Sequence, residues 1–205
     1  VITQDLYFDK LQDAGTVFDD ETADVYAVLY SDGTLSFQKR KDTYPSKTVV
    51  EVYPFNESTH FPTIDSVLWK NNALNVKSVE FRDKIRPVST ARWFNGFENA
   101  TSINLKNLDT SRDTNMNKMF SYCKGLTKLD VSGLDTSQVT DMDAMFAVCI
   151  NLTNIPVSNF NTSKVKDMHS MFDSCFKLQS LDLSMFDTSN VTDFGYMFSG
   201  DKVMS

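Results

Sequence analysis

Residues 134–149 read LDTSQVTDMDAMFAVC and open the second of four related units in the later half of the chain. Complete units have 26 residues and the last is incomplete; they begin at Leu108, Leu134, Phe160 and Phe186. A fixed period of this length is typical of stacked supersecondary units rather than of one globule. Stacked repeats form extended binding surfaces and rarely enclose catalytic pockets, so the repeat predicts a binding protein.

Each unit can be divided into a strand, a polar turn and a short helix. Leu126, Leu129 and Val131 follow the L-x-x-L-x-L spacing of a leucine-rich repeat strand. The Asp-Thr-Ser or Asn-Thr-Ser that follows favours a turn and a helix start. The next apolar residues are spaced by three, four and three positions, as on one face of a helix: Val139, Met142, Phe146 and Cys149.

These units predict an α/β fold: a right-handed leucine-rich repeat solenoid with a parallel strand row, short helices on the other side and a β-rich N-terminal cap. Stacking at the parallel-strand spacing of about 4.8 Å would close a continuous core between strands and helices. Methionines on the helical face are expected to pack in this core rather than to form an adaptable binding groove. They are Met116, Met119, Met142, Met145, Met168, Met171 and Met197.

The chain is predicted to divide near residue 78. Residues 1–78 form a β-rich cap or subdomain, whose hairpin at 25–37 turns at Asp32–Gly33, a dipeptide that tolerates positive φ. A third strand is expected at 48–53 and a short helix at about 64–74. Residues 79–205 form the solenoid, with a divergent coil and then repeats at 82–107, 108–133, 134–159, 160–185 and, in part, 186–205.

The repeat DTSxVTDMxxMFxxCxxLTxLDLS, preceded by AVLYSDGTLSF at 27–37 and RPVSTARWF at 86–94, resembles the BspA-type leucine-rich repeat surface proteins of bacteria. The resemblance covers residues 25–200. It implies an exported protein displayed at the cell surface; some members of the family are adhesins, and the family has no set of catalytic residues. Two positions depart from the pattern: Asp113 stands in the slot of Val139, and Pro156 stands in the slot of Asp130.

Composition and charge narrow the class of partner. The formal net charge of −7 argues against nucleic acid, because binding to its backbone needs clustered lysine and arginine. No apolar run approaches 18 residues, so this segment is not expected to span a membrane. A start of VITQDLYF suggests that a signal peptide has been removed, and the incomplete last unit suggests truncation. The expected location is extracellular, secreted or at the bacterial cell surface.

The chain is predicted to be no enzyme and to hold no cofactor or metal. It contains no G-x-S-x-G or H-E-x-x-H motif, and His169 is expected to face solvent rather than act as a base. Two rows of carboxylates, represented by Asp135 and Asp141, indicate turn and helix capping in preference to calcium binding. The cysteines share one repeat phase and are expected to be buried thiols, with one disulfide as the alternative: Cys123, Cys149 and Cys175.

A ligand that binds the repeats is expected to contact strand residues that face away from the core. These candidates are small, polar and of mixed charge, and they lack the aromatic anchors of interface hot spots. They are Ser102, Asn104, Lys106, Lys128, Asp130, Ser132, Asn154, Ser158, Ser180, Asp182 and Ser184. The helical side and the cap are alternative binding surfaces, although the hairpin face with Tyr26 and Tyr30 is expected to be core.

Two functions fit these features. The first is a non-enzymatic adhesin that recognises a protein or glycan on a host or neighbouring microbial surface. The second is a structural spacer that holds another domain away from the cell wall. The adhesin is the preferred hypothesis, because a repeated surface is suited to extended recognition.

Overall fold

Five strands form the regular secondary structure in a computed structural model that describes residues 23–39, 43–61 and 64–200. They are β1 (Val25–Tyr30), β2 (Thr34–Gln38), β3 (Val49–Phe55), β4 (Ser78–Phe81) and β5 (Ser102–Ile103). Two 3₁₀-helices, Ile64–Ser66 and Lys70–Asn75, lie between β3 and β4, where the sequence predicts one short helix. The parts of the predicted cap and last repeat at 1–22 and 201–205 lie outside the described residues.

The strands form one mixed sheet in the order β3-β1-β2-β4-β5. β1 pairs antiparallel with β2 and β3, whereas β2–β4 and β4–β5 are parallel. The turn between β1 and β2 depends on Gly33, which has a φ of 89° and donates its amide to Tyr30 O at 2.9 Å. Asp32 Oδ1 accepts the Thr34 amide at 2.9 Å, as expected of an aspartate in a tight turn.

The predicted right-handed leucine-rich repeat solenoid, with a parallel strand row and short helices on the other side, is wrong. No α-helix occurs within the described residues, and β4–β5 is the last parallel strand pair among them. Three segments were predicted as further strands of this row, at 126–131, 152–157 and 178–183. They show only one isolated bridge, between Asn154 and Ser180.

Local side-chain chemistry explains the missing strand row. Asp130 Oδ1 accepts both the amide and the hydroxyl of Ser132, at 3.0 and 2.6 Å, and Asp182 binds Ser184 in the same way. Such turns compete with a strand ladder, because they bind an amide that the ladder would use. Pro156 has no amide hydrogen to donate.

The predicted helices are instead tight turns at 116–123, 142–149 and 168–175, which we call the turn segments. An α-helix cannot form there, because every fourth residue has left-handed φ: in one segment Ala144 has a φ of 51° and Val148 a φ of 61°. Met145, Ala147 and Cys149 donate their amides three residues back rather than four, at 3.1–3.2 Å. The apolar spacing therefore predicts correctly which residues are buried. Its prediction of a helix is wrong, because these residues lie in a series of turns.

The remaining amides of each turn segment bind the next unit. The amides of Met142, Ala144, Phe146 and Val148 donate to carbonyls 25 residues later, at 2.7–2.9 Å. Equivalent bonds join Met116 to Asp141 O and Met168 to Asp193 O, at 3.0 and 2.9 Å. Local and inter-unit bonds thus alternate along the backbone. The inter-unit bonds join successive units in register. We call residues 88–200 the repeat column.

Threonine of the Asp-Thr-Ser motif adds a second link between units. Thr136 is 2% exposed, its Oγ1 donates to Asn161 O at 3.0 Å, and the same oxygen accepts the Asn161 amide at 2.8 Å. Thr110 makes the same pair of bonds with Asp135. A buried hydroxyl therefore satisfies both backbone groups of a residue in the next unit, which no aliphatic side chain could do.

The core of the repeat column consists of side chains in equivalent positions. Phenylalanine rings stack along it with centroids 5.4–5.8 Å apart, in the order Phe94, Phe120, Phe146, Phe172 and Phe198. The seven predicted core methionines are buried, as are the three cysteines, which confirms both predictions of burial. The cysteine thiols also donate to the carbonyls of phenylalanines in the preceding unit, at 3.1–3.2 Å.

Aromatic packing joins the sheet to the repeat column. Phe37 of β2 stacks on Trp93 with a centroid distance of 5.2 Å and meets Trp69 edge-on at the same distance. Trp69 Nε1 donates to Trp93 O at 2.6 Å, so its polar atom is satisfied inside the core. On the other sheet face, Tyr26 and Tyr30 are buried, as predicted, but in a smaller separate cluster; the hairpin face with Ala27 and Leu29 is the one that joins the main core with the repeat column.

Replacing Thr136 by valine should lower the free energy of unfolding by about 1–3 kcal/mol, because the Asn161 amide and carbonyl lose a buried partner. Urea unfolding measures the change. The control is Thr140→Val: Thr140 is exposed, and its hydroxyl shares Thr114 O with its own amide, so the loss should stay within about 0.5 kcal/mol. Equal losses in the two variants would contradict the assigned role of Thr136.

Gly125→Ala should destabilise the protein by about 1–3 kcal/mol, because the new Cβ would lie 2.5 Å from Ala100 O and 2.9 Å from Glu98 O. Both neighbours are backbone atoms and cannot rotate away. Gly133→Ala is the matched control, since its Cβ would meet no atom within 4 Å. Thermal unfolding of the two variants should separate them; a Gly125→Ala protein as stable as the control would contradict the packing.

Candidate functional site

The eleven predicted site residues are all exposed in the structure. Four of them, Ser102, Lys128, Asp130 and Asn154, lie together in a groove of about 430 Å³. The other seven do not line this groove; they are Asn104, Lys106, Ser132, Ser158, Ser180, Asp182 and Ser184. Exposure makes all eleven available to a ligand, and their role in binding stays a prediction.

The groove, which we call the three-unit groove, crosses three consecutive units. Its remaining lining residues are Thr101, Ile103, Leu129, Thr153 and Pro156. Thr101 and Thr153 were missed as site residues, although they are 52 positions apart, which is twice the repeat period, and this phase was visible in the sequence. Ile103 and Leu129 are largely buried, so only their edges reach the groove.

The groove presents both charges and neutral hydrogen-bonding groups. Hydrogen bonds from the Ser132 hydroxyl and amide lower the pKa of Asp130, which keeps its carboxylate ionised at neutral pH. Lys128 adds a cation, and Asn154 and Ser102 add an amide and a hydroxyl. Neither histidine nor cysteine occurs among the described lining residues. This arrangement is suited to polar contact with a surface.

The acidic rows serve turn formation. Asp135 Oδ1 accepts the Ser137 amide at 2.9 Å, and Asp141 Oδ1 accepts the Asp143 amide at the same distance. Asn161 fills the equivalent role for Ser163, so a negative charge is not required. Within the described part of the chain, no three His, Cys, Asp or Glu residues are grouped so that they could hold a metal ion.

The two histidines occupy different environments. His169 is partly exposed, its Nδ1 lies 3.3 Å from Asp193 Oδ1, and its ring meets Tyr196 edge-on at 5.5 Å. His60 is exposed and lies beside a second cavity, lined also by Arg92, Asn117 and Asp141. Sequence reasoning did not single out this cavity, because His60 and Phe61 come from a segment before the repeats. The rest of the lining does carry a repeat phase, since Ser89, Asn115 and Asp141 follow one another at 26 positions.

Asp113 is a buried carboxyl in the slot that valine occupies in later units. It is 0% exposed, and burial raises its pKa to about 7 against an ordinary value of 3.8. Thr90 donates its hydroxyl and amide to Oδ2, at 2.6 and 3.1 Å, and these bonds oppose the shift. The sequence predicts a displaced helix start here; the structure instead buries the acid at the junction of two units.

No helix of the described residues has the length and apolar character needed to cross a membrane.

A family model described as "Mycoplasma protein of unknown function, DUF285" matches residues 88–205, which is more than half of the chain. A search of curated proteins and a search of solved structures found no match.

Asp113 should make stability depend on pH. Between pH 3.8 and 7 the folded protein holds a proton on Asp113 that the unfolded chain releases, so stability falls as pH rises through this window and is level above it. The total fall attributable to Asp113 is about 4 kcal/mol. Asp113→Asn should remove that part of the slope, as measured by urea unfolding from pH 4 to 8.

The control for this measurement is Asp135→Asn. Asp135 is exposed, and Asn161 shows that asparagine can form the same turn. The control should keep the slope of the parent protein. If Asp113→Asn also keeps it, the buried carboxyl does not titrate as described.

Proposed function

We propose that this chain, which belongs to the DUF285 family, is a non-enzymatic binding protein that is secreted by a bacterium or displayed on its surface. Its ligand is a protein or glycan on a host or neighbouring microbial surface. The three-unit groove is the proposed contact region. The observation that carries this proposal is the groove itself, since it gathers four exposed polar side chains from three consecutive units.

The shape and chemistry of the groove favour a macromolecular surface as ligand. Its lining is mixed and spans three units, because the polar side chains stand beside Pro156 and the edges of Ile103 and Leu129, so an extended ligand can meet both kinds of contact. Lys128 and Asp130 offer opposite charges two positions apart, so a partner needs a matching pair rather than one dominant charge. The Ser132 amide and hydroxyl hold the Asp130 carboxylate, and a side chain that is already fixed loses less entropy on binding.

A BspA-type surface protein remains the more specific form of this proposal. The DUF285 family is found in BspA-like surface proteins, which supports an exported protein. The repeat motif and the two N-terminal stretches that carry the resemblance support it from the sequence. The leucine-rich repeat solenoid is not part of the proposal, because the structure contradicts it.

A structural spacer is the second candidate function. It is favoured by the small polar side chains that lie beyond the groove, such as Ser158, Ser180 and Ser184, which are exposed and offer no aromatic anchor. A spacer needs a stiff column of units with a solvated exterior, and a ladder of backbone bonds joins the units from 90 to 199.

A solid-phase screen against matrix proteins, mucins and glycans tests the binding function. We expect saturable binding to at least one of them and a loss of about tenfold or more in affinity for Lys128→Glu, because a charge in the groove changes sign. Lys166→Glu is the matched control: it makes the same charge change at an exposed position outside the groove and should bind as the parent does.

The outcomes separate the candidates. Binding that Lys128→Glu reduces and Lys166→Glu leaves unchanged supports the three-unit groove. Binding that neither variant changes moves the site to another surface of the chain. A folded protein that binds none of the ligands favours the spacer.

A further inference from the structure

We propose that the cavity beside His60, Arg92, Asn117 and Asp141, which we call the junction cavity, binds a single sugar residue through neighbouring hydroxyl groups. This site is separate from the three-unit groove, and it does not depend on the function proposed for that groove. It lies where the segment after β3 meets the first turns of the repeat column.

The size of the junction cavity suits a small ligand. Its volume is about 310 Å³, which stands at the lower end of the roughly 300–1,000 Å³ of typical small-molecule sites. Ala91 and Phe61 also line it and are 4% and 3% exposed, so part of the wall is apolar. A single sugar ring, with polar edges and apolar faces, matches a wall of this mixed kind.

One of the residues that line the cavity holds a buried oxygen without a hydrogen-bond donor. Asn117 is 7% exposed, and its Oδ1 has no hydrogen-bond partner among the described residues. Its Nδ2 donates to Asp143 Oδ2 at 2.7 Å, and this bond fixes the amide orientation because a carboxylate only accepts. Buried polar atoms are rarely left without a partner, so this oxygen needs a donor that the described residues do not supply.

Asp141 supplies a second acceptor to the cavity. Its Oδ1 accepts the Asp143 amide and its Oδ2 accepts Asn115 Nδ2, at 2.9 and 3.2 Å. The Asn117 side chain also bonds this carboxylate, so one of its about four acceptor positions remains for a ligand. Burial raises the pKa of Asp141, and the nearby carboxylate of Asp167 acts in the same direction. Desolvation of this kind strengthens a hydrogen bond to a ligand.

Arg92 and His60 supply donors to the same cavity. Arg92 is held in place by its backbone: it has a φ of 64°, and its amide donates to Asn117 O at 2.8 Å. Arg92 and Asn117 therefore lie side by side in neighbouring units, and both line the cavity. A hydroxyl both donates and accepts, so a pair of hydroxyls can bind acceptors and donors at once.

Charged ligands match the cavity less well. A cation would be attracted by Asp141 but repelled by Arg92, and an anion would be attracted by Arg92 but repelled by Asp141. Neutral vicinal hydroxyls avoid both conflicts and use every polar group named above. This balance is the reason for choosing a sugar over an amine or a phosphate.

The test is an NMR titration of the ¹⁵N-labelled full chain with glucose, galactose, mannose, N-acetylglucosamine and N-acetylgalactosamine. We expect at least one sugar to shift the Asn117 side-chain resonances saturably, with a Kd on the order of 1 mM for so small a ligand. Asn117→Ala should weaken that binding about tenfold. Arg92→Asn should do the same, and asparagine tolerates the positive φ.

The control variant is Asn151→Ala, which removes an inter-unit bond from Nδ2 to Lys124 O of 2.7 Å outside the cavity. It should leave the affinity unchanged within about twofold. If Asn117→Ala fails to unfold cooperatively, Arg92→Asn decides alone. The proposal is overturned if no sugar of the panel saturates, if both cavity variants bind as the parent does, or if glycine or putrescine binds there instead.

Discussion

One hydrogen-bonding pattern supports the later part of the molecule: in each turn segment, every second backbone amide donates to a carbonyl of the following unit. The pattern needs left-handed φ at residues such as Ala144 and Val148, because only then do alternate amides face the neighbouring unit. Local bonds satisfy the amides between them. The buried threonines, the stacked phenylalanines and the cysteine thiols all occupy positions that this register fixes.

The same register creates the surfaces that are available for function. Ser102, Lys128 and Asn154 come from different units, and they share a groove because those units are held side by side. The junction cavity has a different origin, since it forms where the repeated pattern meets the N-terminal sheet. Asp113 lies near this meeting point and departs from the valine of later units, so the first unit is adapted to its neighbour rather than to a copy of itself.

The sequence predicts burial much better than backbone conformation. Period and spacing identify the buried Met142, Phe146 and Cys149, and the Asp32–Gly33 turn identifies the antiparallel pair of β1 and β2. Helical spacing cannot distinguish a helix from tight turns, because both place residues three and four positions apart on one face. Alanine and valine rarely adopt positive φ, so Ala144 and Val148 do not reveal it themselves. The signal in the sequence is glycine at 96 and 200, in the repeat phase of Val148, where φ is also positive.

The missing strand row and the candidate sites show a second limit of the sequence. Asp130 and Ser132 fit an exposed strand edge by alternation, yet their side chains bind each other and close a turn instead. The alternation of apolar and polar residues predicted that the candidate site residues are exposed. Which of them share a groove depends on how the units pack, and the sequence does not show that. The division near residue 78 and the identity of the ligand stay predictions.

In the turn segments the ladder has a direction, because the amides point toward the later unit and the accepting carbonyls toward the earlier one. One amide of each unit runs the other way, as that of Thr140 does when it donates to Thr114 O. Met116 and Met142 donate in the same way, so the ladder alone does not fix the order of the complete units. A whole 26-residue unit, added or lost, would keep the register of the ladder, whereas the insertion or loss of a single residue would break it. The length of the column can therefore change without disturbing the ladder only in steps of one unit.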